Sequence, residues 1–289
     1  MRSEPADPEK ESIHIAGNQY PWFTYFRREK RDFFASLDDS LAEVAKSGLD
    51  GFEPGVSTAD AVDKIAPLLK QHGLEMRSLY VGSVLHDPDK AEKSARDMLA
   101  IAEKAKSFGT RIIVTNPSPI RWGREAAKTD EQLIFQARML DRLGAELRRR
   151  GLILAYHNHD IELGNAAREF HHMLLATNPD HLALCLDCHW IYRGAGNSSV
   201  ALFDVLKLYG ARVVELHIRQ SRDGVWTEVF SEGDIDYPAV VRFLKKIGVT
   251  PHVVLEQAVE KGTPHTMDGL TAHKRSIDYA RQVFAPLAR

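Results

Sequence analysis

One stretch of the chain, LILAYHNHDIELGNAAREFHHMLLATNPDHLALCLDCHW (residues 152–190), is the most informative about the fold. It begins with an apolar run at 152–159 and ends with another at 182–190, and both runs are typical of buried strands. Between them, 166–177 has the amphipathic pattern of a helix. A strand, a helix and a second strand in succession predict a parallel β/α unit.

The same alternation extends along the chain. Apolar, strand-like runs occur at 13–17, 51–55, 74–82, 111–117, 152–159, 182–190, 212–220 and 252–257. Each precedes a helix-like run, at 34–47, 59–72, 89–108, 129–150, 166–177, 200–209, 236–247 and 266–285. Eight such units predict an α/β protein with a single (β/α)8 TIM barrel over 13–289, after a disordered leader at 1–12. A doubly wound sheet is less favoured, because AGNQYPW (16–22) is a poor phosphate-binding turn.

The composition restricts the class of protein. Of 289 residues, 44% are hydrophobic and 27% charged, and the net charge is −2, which is typical of a globular domain and not of a general nucleic-acid binder. The polar residues 1–12 do not resemble a signal peptide, and no apolar run predicts a membrane span. We therefore expect a cytoplasmic protein without membrane or nucleic-acid partners. Cys185 and Cys188 are expected to be buried thiols on opposite faces of a strand.

Polar side chains cluster where the predicted strands end, and β/α barrels carry their active sites at these ends. The cluster comprises Glu53, His157, Asn158, His159, Glu162, Asp187, His189, Glu215, His217, Arg219 and Glu256. Because side chains alternate along a strand, Asp187 and His189 should share one face, and Asp187, His217 and Glu256 should converge at the barrel mouth. Carboxylates and an imidazole at one point suit one divalent ion, such as Mn²⁺, Zn²⁺, Co²⁺ or Mg²⁺.

A fourth ligand is expected from the fifth strand, where two alternatives stay open. His157, at the strand end, offers an imidazole directly. Glu162, in the following loop, could instead reach back to the ion while His157 and His159 face the substrate.

Four motifs, YHNHDIEL (156–163), LDCHW (186–190), ELHIR (215–219) and VLEQ (254–257), resemble the xylose-isomerase-like barrel superfamily. That family includes sugar isomerases, ketose 3-epimerases, hydroxypyruvate isomerases and inosose dehydratases. The resemblance covers about residues 13–285 and implies that Glu162, Asp187, His217 and Glu256 hold one divalent metal. Many relatives place the first of these acids at the strand end, where this chain has His157, and they often read His-x-Lys-Asp where this chain has Arg219 and Gln220.

The resemblance also implies the chemistry. It indicates a sugar or keto-sugar isomerase or epimerase that removes a proton beside a carbonyl through a metal-stabilised enolate. Glu162 or Glu256 is the expected base, and His159 and His189 are the expected donors or acid. Glu53, His157, Arg219 and Trp190 are expected to contact substrate, and the aromatic group of Tyr20, Trp22, Phe23, Tyr25 and Phe26 either walls the pocket or packs an oligomer. A salt bridge is the alternative role for Glu53.

Other functions use the same barrel. An inosose or keto-sugar dehydratase would share the first step and then lose the β-hydroxyl group. A non-catalytic sugar-binding barrel would keep the fold without the metal. An apurinic-site endonuclease is disfavoured, because the strand ends LYVG (79–82) and VTNP (114–117) offer no further ligands. The expected partner is a small sugar or cyclitol, unphosphorylated, and the chain could form a homodimer or homotetramer.

Overall fold

The computed structural model describes residues 13–122 and 126–288. The leader expected over 1–12 lies outside the described residues.

Strands and helices alternate as the sequence predicts, with strands shorter than the apolar runs that contain them. The strands are β1 (Ile15–Asn18), β2 (Gly51–Glu53), β3 (Ser78–Tyr80), β4 (Ile112–Thr115), β5 (Ile153–His157), β6 (Leu182–Asp187), β7 (Val213–Ile218), β8 (Ser221–Arg222), β9 (Val225–Trp226) and β10 (His252–Leu255). The helices are α1 (Gln19–Arg28), α2 (Leu37–Lys46), α3 (Ala59–Gln71), α4 (Pro88–Lys106), α5 (Asp130–Arg149), α6 (Gly164–Leu175), α7 (Cys188–Gly194), α8 (Ser199–Tyr209), α9 (Tyr237–Lys246) and α10 (Gly269–Phe284).

Eight parallel strands, β1 to β7 and β10, form one sheet in the order β2-β1-β10-β7-β6-β5-β4-β3. The two ends of this sheet meet, because Phe52 N donates to Glu75 O at 2.8 Å and Tyr80 N donates to Pro54 O at 2.9 Å. The sheet is therefore a barrel with its seam between β2 and β3, and the predicted TIM barrel is confirmed. The short strands β8 and β9 pair separately as an antiparallel hairpin beyond β7.

The helices cover the barrel with their apolar faces. In α5, Thr129 and Gln132 form a capping box at the N-terminus, and the leucines at 133, 140, 143 and 147 form a buried stripe along one face. Side chains on the opposite face of the strands fill the barrel interior. Ile112, Val114, Ala155 and Cys185 form a small apolar cluster there, below the polar strand ends. The apolar layer supports the polar groups at the mouth from beneath.

Two segments differ from the sequence-based expectations. Helix α1 follows β1 directly and buries Trp22, Tyr25 and Phe26 in the core, so these three aromatic rings do not wall a pocket. The sixth strand ends at Asp187 and not at 190, because the Asp187 carboxylate caps α7 by accepting from Trp190 N at 2.8 Å. The expectation that His189 shares a strand face with Asp187 was therefore wrong, as was the strand geometry assumed for Cys188. Both cysteines are nevertheless buried and free.

Among the helices of residues 13–122 and 126–288, none combines the length and apolar character that a membrane span requires.

Candidate active site

Four buried side chains meet at the carboxyl ends of the barrel strands. His157 ends β5, Asp187 ends β6, His217 lies near the end of β7, and Glu256 directly follows β10. Strand pairing sets their level, since Asp187 is the register partner of His217, and Glu256 N donates to Ile218 O at 2.9 Å. Each side chain offers one nitrogen or oxygen atom, and these four atoms lie within 4.8 Å of one another.

The four side chains fit a divalent metal ion. Two imidazoles and two carboxylates are donors that first-row divalent ions accept. Asp187 Oδ2 is fully buried and has no hydrogen-bond partner in the described part of the chain, which is costly unless a ligand satisfies it. Burial raises the pKa of Asp187 to about 7. Burial and the neighbouring His217 lower the pKa of His157 well below its usual value, so its imidazole is neutral and has a free lone pair.

Arg219 brings a positive charge to the same site. Its Nε donates to Glu256 O at 2.8 Å, and its Nη2 lies 3.0 Å from Glu256 Oε1 and 3.9 Å from Asp187 Oδ2. The guanidinium also packs against the rings of Trp226 and Trp190, at 4.2 and 5.0 Å from their centroids. Burial alone would raise the pKa of Glu256, but Arg219 and His217 hold it well below its usual range. Glu256 is thus a carboxylate in the neutral pH range.

His217 is bonded on both sides of its ring. Its Nδ1 lies 2.9 Å from Glu256 Oε2, toward the mouth. Its Nε2 lies 3.2 Å from Glu215 Oε1 and 3.2 Å from Glu53 Oε1. Glu53 also accepts from Asn18 Nδ2 at 2.6 Å and from Ser78 Oγ at 2.9 Å. The structure therefore places Glu53 in the salt bridge that was its alternative role, and not in a position to touch substrate.

Glu162 lies outside the group of four. Its Oε1 accepts from Asn116 Nδ2 at 3.1 Å, and its Oε2 accepts from the backbone nitrogen of His159 at 2.6 Å. Burial raises the pKa of Glu162 to about 7. Of the two fifth-strand alternatives, the structure brings His157 to the group, and Glu162 supports the loop that follows.

A cavity of about 540 Å³ opens above the four side chains. Its lining residues are Asn18, Gln19, Tyr20, Phe23, Gly55, Tyr80, Trp122, His157, His159, Asp160, Trp190, Arg219, Trp226 and Glu256. Of the expected substrate contacts, His157, Arg219 and Trp190 reach this cavity. From the aromatic group after β1, Tyr20 and Phe23 reach it as well.

His159 and His189, both expected to act on substrate, lie in different places. His159 lines the cavity between Trp122 and Trp190, with ring centroids 5.3 and 5.7 Å away, and burial lowers its pKa to about 4. His189 lies on α7 behind the wall, 6.0 Å from the ring of Trp226, and it is absent from the described lining residues. Helix α7, which Asp187 caps, instead places Trp190 at the cavity, where His189 was expected.

Sequence reasoning missed several lining residues. Tyr80 lies at the end of β3, and Trp226 lies on the β8–β9 hairpin. Tyr80 was visible as a polar aromatic residue at a strand end. The position of Trp226 could not be predicted, because the sequence around it has no strand or helix periodicity that would place it at the barrel mouth.

Comparison with known proteins is consistent with this architecture. The family model described as xylose isomerase-like TIM barrel matches residues 41–283. An inosose dehydratase of Mesomycoplasma hyopneumoniae is 22% identical over 279 residues, which cover 86% of this chain and 89% of that protein.

Solved structures share the fold. A sugar phosphate isomerase/epimerase from Parabacteroides distasonis superposes with a TM-score of 0.73 at 16% identity and covers 99% of this chain and 98% of its own. A xylose isomerase-like TIM barrel protein from Mycobacterium smegmatis, solved in complex with magnesium, has a TM-score of 0.71 at 17% identity, with 96% and 97% of the two chains covered.

Proposed function

Because the chain belongs to the xylose isomerase-like TIM barrel family, we propose that it is a divalent-metal-dependent keto-sugar isomerase or epimerase. It would remove a proton from the carbon beside the carbonyl of a keto sugar or cyclitol. The observation that carries this proposal is the convergence of His157, Asp187, His217 and Glu256 beneath a cavity that also holds His159. The isomerase/epimerase name of the Parabacteroides relative supports the reaction class.

His157, Asp187, His217 and Glu256 are the residues that would hold the ion. When bound, a divalent ion supplies Lewis-acid polarisation of a substrate carbonyl and stabilises negative charge that develops on its oxygen. The ligand set differs from the one that the motifs imply, with an imidazole from His157 where Glu162 was expected. The identity of the ion is part of the proposal, and two nitrogen donors favour Zn²⁺ or Co²⁺ over Mg²⁺.

His159 is the proposed proton-transfer group. It lines the cavity next to His157, with ring centroids 4.8 Å apart, and its Nδ1 has no hydrogen-bond partner within the described ranges. Burial lowers its pKa to about 4, so the ring is neutral near pH 7 and one ring nitrogen carries no proton. Glu162 holds the His159 backbone and thereby fixes the position of the ring.

The remaining cavity residues orient the substrate. Trp190 and Trp226 form a wall whose rings lie 5.5 Å apart, and Arg219 packs against both. Aromatic faces contact the C–H faces of sugar rings and exclude water from the reacting carbon. Gln19 also lines the cavity and offers an amide group for substrate hydroxyls.

Dehydration is the second candidate reaction. It is favoured by the inosose dehydratase name of the Mesomycoplasma relative, which aligns over most of both chains. It begins with the same proton removal and then needs a proton donor at the leaving β-hydroxyl. Tyr80 fits that role, because it lines the cavity and burial raises the pKa of its phenol well above 10, which keeps it protonated.

Proton exchange in heavy water tests the proposal. The purified protein is loaded with Zn²⁺, Co²⁺ or Mn²⁺ and incubated with D-allulose or an inosose, and deuterium incorporation is followed by NMR. Deuterium at one carbon with formation of an epimer or isomer supports the first reaction, and a product that has lost one water relative to the substrate supports the second. If no member of a keto-sugar and inosose panel exchanges, the enzymatic proposal fails in favour of a sugar-binding barrel.

A further inference from the structure

We propose that Glu53 and Glu215 are positioning residues that hold His217 with Nδ1 toward the cavity and Nε2–H toward the barrel interior. The inference rests on the proposed function, because it assigns a role in metal binding. Glu53 and Glu215 are both absent from the described cavity lining and therefore do not reach a substrate.

The two ring nitrogens of His217 face different surroundings. Nδ1 points to Glu256, a member of the group of four, at 2.9 Å. Nε2 lies 3.2 Å from one oxygen each of Glu53 and Glu215, and both of these side chains are fully buried. A neutral imidazole that offers one nitrogen to a metal must carry its proton on the other nitrogen. A carboxylate at that second nitrogen fixes the tautomer and makes the ligand nitrogen more basic.

Glu53 is itself held from two other strands. Asn18 at the end of β1 donates to its Oε1, and Ser78 of β3 donates to its Oε2. Ser78 and Glu53 lie on opposite sides of the seam that closes the barrel. Closure of the barrel therefore fixes the position of the Glu53 carboxylate. Its contact with Nε2 in turn fixes the orientation of the His217 ring.

Glu215 supports the same nitrogen from the strand of His217 itself. It lies two residues before His217 on the same face of β7, and its Oε1 also accepts from Cys185 Sγ at 3.4 Å. Its Oε2 is buried without a hydrogen-bond partner within the described residues. A buried acid with one oxygen left unpaired is costly in a barrel interior, where an apolar residue would pack at no such cost. Contact with His217 is the role that explains the acid at this position.

The test compares Glu53→Gln, Glu215→Gln and the double variant with wild type. Glu228→Gln is the matched control, because Glu228 is also buried and bonded, to Arg28 and Thr266, without contact to His217. Co²⁺ affinity and the visible Co²⁺ spectrum are measured in all five proteins. We expect about 10- to 100-fold weaker binding and an altered spectrum in the double variant, smaller changes in the single variants, and no change in the control. A folded double variant with wild-type affinity and spectrum would overturn the inference.

A second measurement separates this inference from the proposed function. Protonation of the His217 ring in the metal-free wild type is read from ¹⁵N–¹H NMR of the imidazole, because Nδ1 and Nε2 both lie next to carboxyl oxygens. A proton on Nε2 whose signal shifts in Glu53→Gln supports the positioning role even if the double variant does not fold, and an Nε2 without a proton overturns it. If wild type binds no Co²⁺ at all, the proposed function fails, and the Nε2 proton alone then decides whether the two acids position the ring.

Discussion

The imidazole rings of His157 and His217 face each other across the barrel mouth, with centroids 4.6 Å apart. This pairing brings an imidazole from β5 into the group with Asp187 and Glu256, while Glu162 turns to Asn116 and to the His159 backbone. The site is therefore richer in nitrogen than the set of three carboxylates and one histidine that the motifs imply.

A nitrogen-rich site should prefer ions that bind imidazole well. We predict that wild type binds Zn²⁺ or Co²⁺ more tightly than Mg²⁺, and that His157→Glu reduces this preference by about tenfold or more, about 1.4 kcal/mol, because a carboxylate replaces a nitrogen donor. Calorimetric titration with Zn²⁺ and Mg²⁺ measures both affinities. Glu162→Gln serves as the control and should leave the preference unchanged. If Glu162→Gln reduced the preference and His157→Glu left it unchanged, Glu162 and not His157 would be the metal ligand.

His159 should matter for proton transfer more than for binding. In His159→Gln, we expect deuterium exchange into the substrate to fall by about 10²–10⁴-fold while the metal affinity is retained, because the amide cannot accept the proton but approximates the shape of the ring. Exchange rates and metal titrations on the same preparation provide the comparison. Exchange at the wild-type rate would show that another group is the base.

In the metal-free protein, the Arg219 guanidinium neutralises the negative charge of the Glu256 carboxylate. Arg219→Met should lower the free energy of unfolding by about 3–5 kcal/mol without metal, because it leaves a buried carboxylate without its cation. Saturating Zn²⁺ should recover part of that loss, because the ion places positive charge at the same carboxylate. Denaturant unfolding with and without Zn²⁺ gives both values.

Arg193→Met is the matched control, since Arg193 packs on the same two tryptophans but pairs with Glu260. An Arg219→Met loss of equal size in both conditions would indicate that stacking, and not charge, is what the residue provides.

Acid sensitivity should come in part from His273, a buried residue outside the site. Its ring stacks on Trp22 at 4.0 Å and its Nδ1 bonds Gly269 O at 2.7 Å, and burial lowers its pKa to about 4 from 6.5. The unfolded chain takes up this proton near pH 6.5 and the folded chain only near pH 4. Stability should therefore fall as pH drops through this window, by up to about 1.4 kcal/mol per pH unit from this residue.

Replacing the ring isolates that contribution. His273→Phe keeps an aromatic ring on Trp22 and removes the titration, so its unfolding free energy should decline less than that of wild type between pH 6.5 and pH 4. Parallel curves for the two proteins over this range would mean that His273 contributes nothing to acid sensitivity.

The barrel was predictable because periodicity is a local property of the sequence. The strand and helix runs needed no knowledge of contacts, and the convergence of Asp187, His217 and Glu256 followed from side-chain alternation near parallel strand ends. His189 was not predictable in this way. Its position depends on one hydrogen bond, from Trp190 N to Asp187, that ends the strand and begins α7.

Long-range contacts explain the remaining differences. Glu53 appeared to be a candidate for substrate contact at a strand end, but closure of the barrel between β2 and β3 brings Ser78 to it and leaves it beneath His217. Trp226 reaches the cavity only because the β8–β9 hairpin folds over the mouth. Neither contact can be predicted from the sequence next to these residues.

Metal content per chain is the most direct test of the central claim, that these strand ends hold one divalent ion. Wild type and Asp187→Ala are purified in the presence of Zn²⁺, dialysed, and measured by elemental analysis. We predict about one ion per chain in wild type and far less in the variant, because Asp187 supplies a buried ligand oxygen that has no other partner among the described residues. An absence of ion in wild type, or equal retention by the variant, would contradict the proposed metal centre.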